Sequence, residues 1–182
     1  MMSFGSVVYA ETKVGIDWMY GEDSVVPNTW QSSSCENTVN RFSGRIETNE
    51  LFPTWNKWFF GAELQYSTHK SYNIRKDIGE INKFREHGLN VTIKRQMFDT
   101  FYLGWIMGIS YWHSRDNGVH NLGDSHWLGT WGPMIGKDWK LPYVSDAWSL
   151  RTEIRLTHTS DPFESDSGKN YGTGVVGISY NF

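Results

Sequence analysis

The 182-residue chain reads as all-β, an eight-stranded antiparallel up-and-down transmembrane β-barrel. Three observations predict this. Apolar and polar residues alternate with a period of two along most of the chain. The connections between the alternating segments are by turns long and short. The apolar faces are rich in aromatic residues, with ten Trp, nine Tyr and ten Phe in the whole chain, the supply that two interfacial girdles require.

Each segment follows the same rule. Val14, Ile16, Trp18 and Tyr20 share one face of the first, against Lys13, Gly15, Asp17 and Gly21. In the second, Phe42 and Ile46 oppose Arg41, Ser43, Arg45 and Glu47. Trp58, Phe60, Ala62, Leu64 and Tyr66 then oppose Gly61, Glu63, Gln65 and Ser67. Leu89, Val91 and Ile93 oppose Asn90, Thr92, Lys94 and Gln96 in the fourth. The fifth has the longest apolar face, from Phe101 through Leu103, Trp105, Met107 and Ile109 to Tyr111. Trp127, Trp131 and Ile135 mark a sixth segment, interrupted by Pro133. In the seventh, Trp148, Leu150, Ile154 and Leu156 oppose Ser149, Arg151, Glu153 and Arg155. The eighth sets Val176, Ile178, Tyr180 and Phe182 against Thr173, Ser179 and Asn181. Such segments are near the roughly 9–11 residues that cross a bilayer at a tilt, whereas an ordinary sandwich strand has about 5–6.

Alternation by itself does not say which face is outward. In a soluble, lipocalin-like barrel the charged set would face water. In a membrane barrel it would fill the lumen as a paired polar core. The aromatic wealth of the apolar faces and the terminal Phe182 favour charges inside. Connections 21–38, 68–83, 113–125 and 161–170 are long and polar, while the joints near Pro53, Phe98 and Pro142 are short. With both termini periplasmic, the long ones are external, as in bacterial outer-membrane barrels. VVGISYNF resembles the terminal strand that such barrels present to their assembly machinery.

Residues 1–10 are apolar, and Val8 and Ala10 before Glu11 fit a signal-peptidase site. They read as a truncated signal peptide before a single barrel domain, 11–182; the plainer reading is an N-terminal strand. A net charge of −3 and a pI near 6.1 do not indicate a nucleic-acid partner. The mean hydropathy of −0.52 suits a soluble protein and a small barrel alike. Cys35 is alone and forms no intrachain disulfide. His120, Asp124 and His126 match no metal-ligand spacing and read as solvated loop residues, so neither metal nor cofactor is expected. A channel is not expected either, because about eight strands leave an interior that side chains fill.

The most specific chemistry stands at the end of the seventh segment, Leu156-Thr-His158-Thr-Ser160-Asp161. His158 and Ser160 are two apart and share a face, about 6.6–6.8 Å apart along a strand. Histidine is the usual base at neutral pH and can activate a serine hydroxyl for attack on an ester. By parity both share the lipid face, at the outer-leaflet end, where lipopolysaccharide resides. A polar pair there is costly unless it has a use; the competing reading is the polar end of a strand leaving the membrane.

Residues 155–182, RLTHTSDPFESDSGKNYGTGVVGISYNF, resemble the C-terminal part of the PagL-type lipid A 3-O-deacylases, also called acyloxyacyl hydrolases. That family's hallmark is His-x-Ser-Asn and a small residue, then a Gly-containing loop, an acidic residue or Asn opening the last strand, and a terminal aromatic. LGTWGPMIGKDWKL, residues 128–141, resembles the preceding hairpin. The likeness covers the last third of the chain. It implies an eight-stranded barrel of the cell outer membrane, with Ser160 as nucleophile and His158 as base. The partner implied is lipid A of lipopolysaccharide, cut at an ester-linked 3-hydroxyacyl chain. Asn170 best matches the position that orients the histidine; Asp161, Glu164 and Asp166 are the alternative acids. Asp161 and Pro162 depart from the family's Asn and small residue. Proline supplies no N–H to an oxyanion, and a carboxylate would repel one. The sequence leaves open which acyl chain is cut and whether two copies associate as a homodimer.

Overall fold

A computed structural model describes residues 11–23, 37–52, 54–55, 57–75, 78–98, 100–114, 125–160 and 169–182. The expected signal peptide, Cys35, Pro53, His120, Asp124, Asp161, Pro162, Glu164 and Asp166 lie outside the described residues. Eight strands close into one barrel in sequence order: β1 (Thr12–Asp23), β2 (Asn37–Thr48), β3 (Trp58–Arg75), β4 (Ile78–Phe98), β5 (Phe101–Ser114), β6 (Ser125–Lys140), β7 (Trp148–Ser160) and β8 (Lys169–Asn181). Every neighbouring pair is antiparallel, and β8 closes on β1 from Lys13↔Asn181 to Asp23↔Tyr171. Closure leaves no edge strand, which a hydrocarbon surrounding demands.

The burial pattern decides which face is which. Ile16 and Leu64 are each 67% exposed and Phe42 and Ile154 each 59%, whereas Arg41, Glu86, Arg151 and Arg155 are at 0%. An apolar exterior around a charged interior is the inverse of a soluble barrel and fits a bilayer. Aromatic residues gather toward both ends of the apolar belt. At the end with the termini and short connections, Trp148, Tyr180 and Phe182 stack edge to face, and Lys137 lies 3.8 Å over the Trp139 ring. At the other end Tyr66 packs on His87 and Tyr111 on Trp127.

All eight strands send polar groups into the lumen. Arg155 holds Glu63 through two bonds of 2.8 Å and also bonds Glu153. Arg151 spans to Glu47 at 2.7 and 3.0 Å and to Asp138 at 3.3 Å. Lys94 bonds Glu47, and the Tyr102 hydroxyl donates to Glu153 at 2.6 Å. Arg45 reaches Asp17 at 2.6 Å and Ser179 at 2.5 Å. Higher up, Arg41 holds Glu86 and Ser67, and Gln65 links Glu86 to Asn90. Charge-assisted bonds of this kind offset the cost of burying the ions. Gly177 makes room for one of them: a β-carbon there would fall 1.8 Å from the Asp17 carboxylate.

Two features differ from the sequence expectation. Segment 68–83 is mostly strand, since β3 continues to Arg75 and β4 begins at Ile78, paired through to Arg75↔Ile78. The β-branched and aromatic residues Tyr72, Ile74, Ile78 and Ile81 suit a strand better than a loop. The pair outruns its neighbours, because β2 pairs only as far as Ser71 and β5 only as far as Phe84. The lumen also takes apolar residues: Met19, Ile106, Met134, Val175 and, near the outer end, Val39, Leu128 and Tyr171 are all buried.

Candidate active site at the outer rim

β7 starts at the end with short connections and runs outward, so His158 and Ser160 arrive at the rim carrying the long ones. The register puts His158 directly between Trp131 of β6 and Asn170 of β8. Its inward neighbours Thr157 and Thr159 are buried, at 2% and 1%, and His158 itself is half-exposed on the outer face. Parity read from the sequence therefore holds at this position.

Asn170 and His158 are joined. The imidazole Nδ1 lies 2.8 Å from the Asn170 side-chain carbonyl oxygen. An amide oxygen only accepts, so Nδ1 carries the hydrogen and donates it. The lone pair is then left at Nε2, the tautomer a general base needs. On the other flank the Trp131 ring packs against the imidazole, centroids 5.2 Å apart, and is itself stacked on Trp105 at 6.0 Å and 13°. The ring is thus held by a hydrogen bond on one side and an aromatic wall on the other.

The backbone beneath is drawn close. A β-carbon on Gly132 would sit 1.9 Å from the Leu156 carbonyl oxygen, a contact only glycine avoids. The β6–β7 pairing skips Gly132 and Pro133, and proline has no N–H to offer a ladder. Inside the barrel at this level, Thr130 links Ser110 and Thr159 through hydroxyl contacts of 3.5 and 3.3 Å. Among the described residues, neutral hydroxyls lie beneath the site.

Ser160 occupies the register position opposite Gly129, two residues beyond His158 on β7. The alternatives for orienting the histidine, Asp161, Glu164 and Asp166, and the Asp161–Pro162 step lie outside the described residues. Trp131 was not singled out by the sequence as a site residue. Its place beside His158 depends on β6–β7 register, which no local pattern encodes. Among the described residues no group of three His, Cys, Asp or Glu could hold a metal ion. Arg151, Glu153 and Arg155, which alternate away from His158, all belong to the lumen network.

No family model matches the chain, and no curated protein matches it in sequence. Solved structures do match its fold. The outer membrane protein Ail of Yersinia pestis, in a phospholipid bilayer nanodisc, superposes with a TM-score of 0.52 at 11% identity, covering 96% of this chain and 100% of that one. Ail in complex with the heparin analogue sucrose octasulfate gives 0.52 at 10%, covering 95% and 97%. The likeness is one of fold. Together with the apolar exterior and ionic lumen, it defines an eight-stranded β-barrel of the outer-membrane class. The outer membrane is its location.

Proposed function

We propose that the protein is an outer-membrane esterase that removes the 3-O-linked hydroxyacyl chain of lipid A. The observation that carries this reading is the His158–Asn170 hydrogen bond of 2.8 Å on the hydrocarbon-facing side of the outer rim. A tautomer-locked polar pair there, beyond Ile154 and Leu156 and beside the Trp131 ring, has lipid esters within its reach. The resemblance of residues 155–182 to PagL-type deacylases supports the same roles.

In this reading Nε2 of His158 takes the proton of the Ser160 hydroxyl as Oγ attacks the ester carbonyl carbon. Collapse of the tetrahedral intermediate breaks the bond to the glucosamine 3-oxygen. That oxygen leaves with the proton from Nε2, and Ser160 holds the acyl group. Water, deprotonated by the same nitrogen, then releases the hydroxy acid. Asn170 keeps the ring in place through both steps, and Trp131 limits its rotation.

The test is expression in a host bearing lipopolysaccharide, followed by mass spectrometry of lipid A. Loss of one hydroxyacyl chain, abolished by Ser160→Ala, is the expected result. Unaltered lipid A in cells with folded barrel defeats the proposal.

A second reading is a non-enzymatic barrel of structural or adhesion type. The Asp161–Pro162 step favours it, since it withholds an N–H and adds a negative charge where an oxyanion would form. Ail, of similar fold, was solved bound to a heparin analogue, and the external segments would do the corresponding work here. Intact lipid A together with retention on a sulfated-glycan column would favour this reading.

A further inference from the structure

The short connection between β2 and β3 folds back over the outside of the barrel. The Trp55 N–H donates to the Phe52 carbonyl and the Trp58 N–H to the Trp55 carbonyl, both at 2.8 Å, so one tight turn follows another. This winding gathers four rings. Phe52 lies 5.0 Å from Phe60 and 5.5 Å from Trp55, and Trp55 lies 5.8 Å from Trp58. Trp58 and Phe60 open the outward set of β3, on either side of the buried Phe59. The cluster therefore sits on the hydrocarbon side, at the end that carries the termini and the short connections. In a barrel of this class that end is periplasmic.

A cavity of about 230 Å³ opens against the cluster, lined by Thr54, Trp55, Lys57, Trp58 and Arg95. Arg95 stands opposite Trp58 in the β3–β4 register, and its guanidinium lies 5.7 Å from the centre of the Trp58 ring. The Gln96 N–H donates to the Lys57 carbonyl at 2.8 Å and holds the turn against β4. The lining is thus two indoles, one hydroxyl and two cations. Among the described residues neither cation has an acid partner. Beyond Arg95 its row continues into Leu103 and Ile135. Glu50, before the turn, takes a bond from the Thr12 hydroxyl at 3.3 Å. Glu63, the next acid along β3, is in the lumen with Arg155, and Asp99 lies outside the described residues. Indole rings mark the level of the lipid headgroups, and cations at that level attract anionic lipid. In a periplasmic leaflet the anion at that depth is the phosphodiester of a glycerophospholipid.

We propose that Thr54, Lys57 and Arg95 bind the phosphodiester of a periplasmic-leaflet phospholipid, with Trp55 and Trp58 packed against its glycerol and first acyl carbons. Arg95 offers a planar fork to two phosphate oxygens, Lys57 a point charge and Thr54 a hydroxyl. β3 is four strands from β7, and the site is at the opposite rim from His158. It stands whether or not the outer rim hydrolyses an ester.

The test uses the full chain in dodecyl maltoside micelles and native mass spectrometry. Equal amounts of dioleoylphosphatidylglycerol and dioleoylglycerol compete, two lipids with the same chains, of which only the first has a phosphate. Two cations at headgroup level, about fivefold each, predict a preference for the phospholipid on the order of 25-fold. Lys57→Ala and Arg95→Ala each lower it about fivefold, and Lys57→Glu/Arg95→Glu abolishes it. Lys137→Glu/Lys140→Glu, at the same rim on β6, leaves it intact. Trp55→Ala lowers retention of both lipids and leaves their ratio unchanged. Heat-modifiable migration on unboiled gels verifies folding, and the single variants stand in if the double one fails to fold. Equal retention of the two lipids, equal loss with the β6 variant, or displacement by millimolar inorganic phosphate would overturn the proposal. So would a gain of binding in Asp99→Asn, which would mean that the cations already have a carboxylate.

Discussion

Strand β7 holds two kinds of polar residue, and they lead different lives. Facing in, Arg151, Glu153 and Arg155 are fully buried, and each is tied to at least two partners. Facing out, Leu150, Ile154 and Leu156 meet hydrocarbon until His158, which among the described residues has one hydrogen-bond partner, Asn170, and one aromatic wall. Inward polarity is self-contained and explained by the fold. Outward polarity at the rim is unexplained by folding, and that marks it for chemistry. The contrast locates a site on a barrel whose most conspicuous charges are structural.

Substitutions can break this contrast or sharpen it. The largest effect is expected at the rim: Ser160→Ala or His158→Ala should cut lipid A deacylation by roughly 10³–10⁶-fold, and Ser160→Ala should leave the unfolding midpoint in urea where it was. A drop in stability to match the lost activity of Ser160→Ala would make its effect structural. Next comes the lumen. Arg155→Met strands Glu63 in the interior and leaves Glu153 with the Tyr102 hydroxyl and Lys94, and urea titration should record a loss of about 3–5 kcal/mol. Removing Arg155 and Glu63 together for apolar residues of similar volume should recover much of that loss, since a buried pair and its apolar replacement are often close in free energy. Failure to recover would mean the pair does more than satisfy itself.

Asn170→Ala, which frees the ring but keeps the base, should lower turnover about 100-fold or less, and Asn170→Asp should restore it by accepting the same Nδ1 hydrogen. Initial rates on purified lipid A distinguish the two variants; an inactive Asn170→Asp with an intact fold would remove Asn170 from the site. Smallest is Trp131→Ala. Losing the ring contacts with Trp105 and His158 should cost about 0.5–1.5 kcal/mol in the same urea assay, with a modest fall in rate. No change in either would make Trp131 an ordinary girdle residue.

Much of this was legible in the residue order. Alternation in the segments around Ile16, Leu64 and Ile154 named the strands and the two faces, because a strand's side chains switch sides at every step. Parity put His158 on the outer face, where the structure also has it. Where apolar residues run together, as in Phe59–Phe60, Tyr102–Leu103 and Val175–Val176, the pair itself gives no phase; the alternation on either side put Phe60, Leu103 and Val176 on the apolar face, and the first residue of each pair turns into the lumen. The ribbon from Ser71 to Lys83 looked like a loop because its polar residues obscured the β-branched and aromatic Tyr72, Ile74 and Ile81.

The order of residues alone determined the strand count and the outward face of His158, since each depends on local periodicity along one strand. Tertiary structure alone decided the partners. That Trp131 and Asn170 flank His158, that Arg155 closes on Glu63 across the lumen, and that Arg95 stands opposite Trp58 are facts of register and closure. They link residues far apart in the chain, and no period within a single segment encodes them.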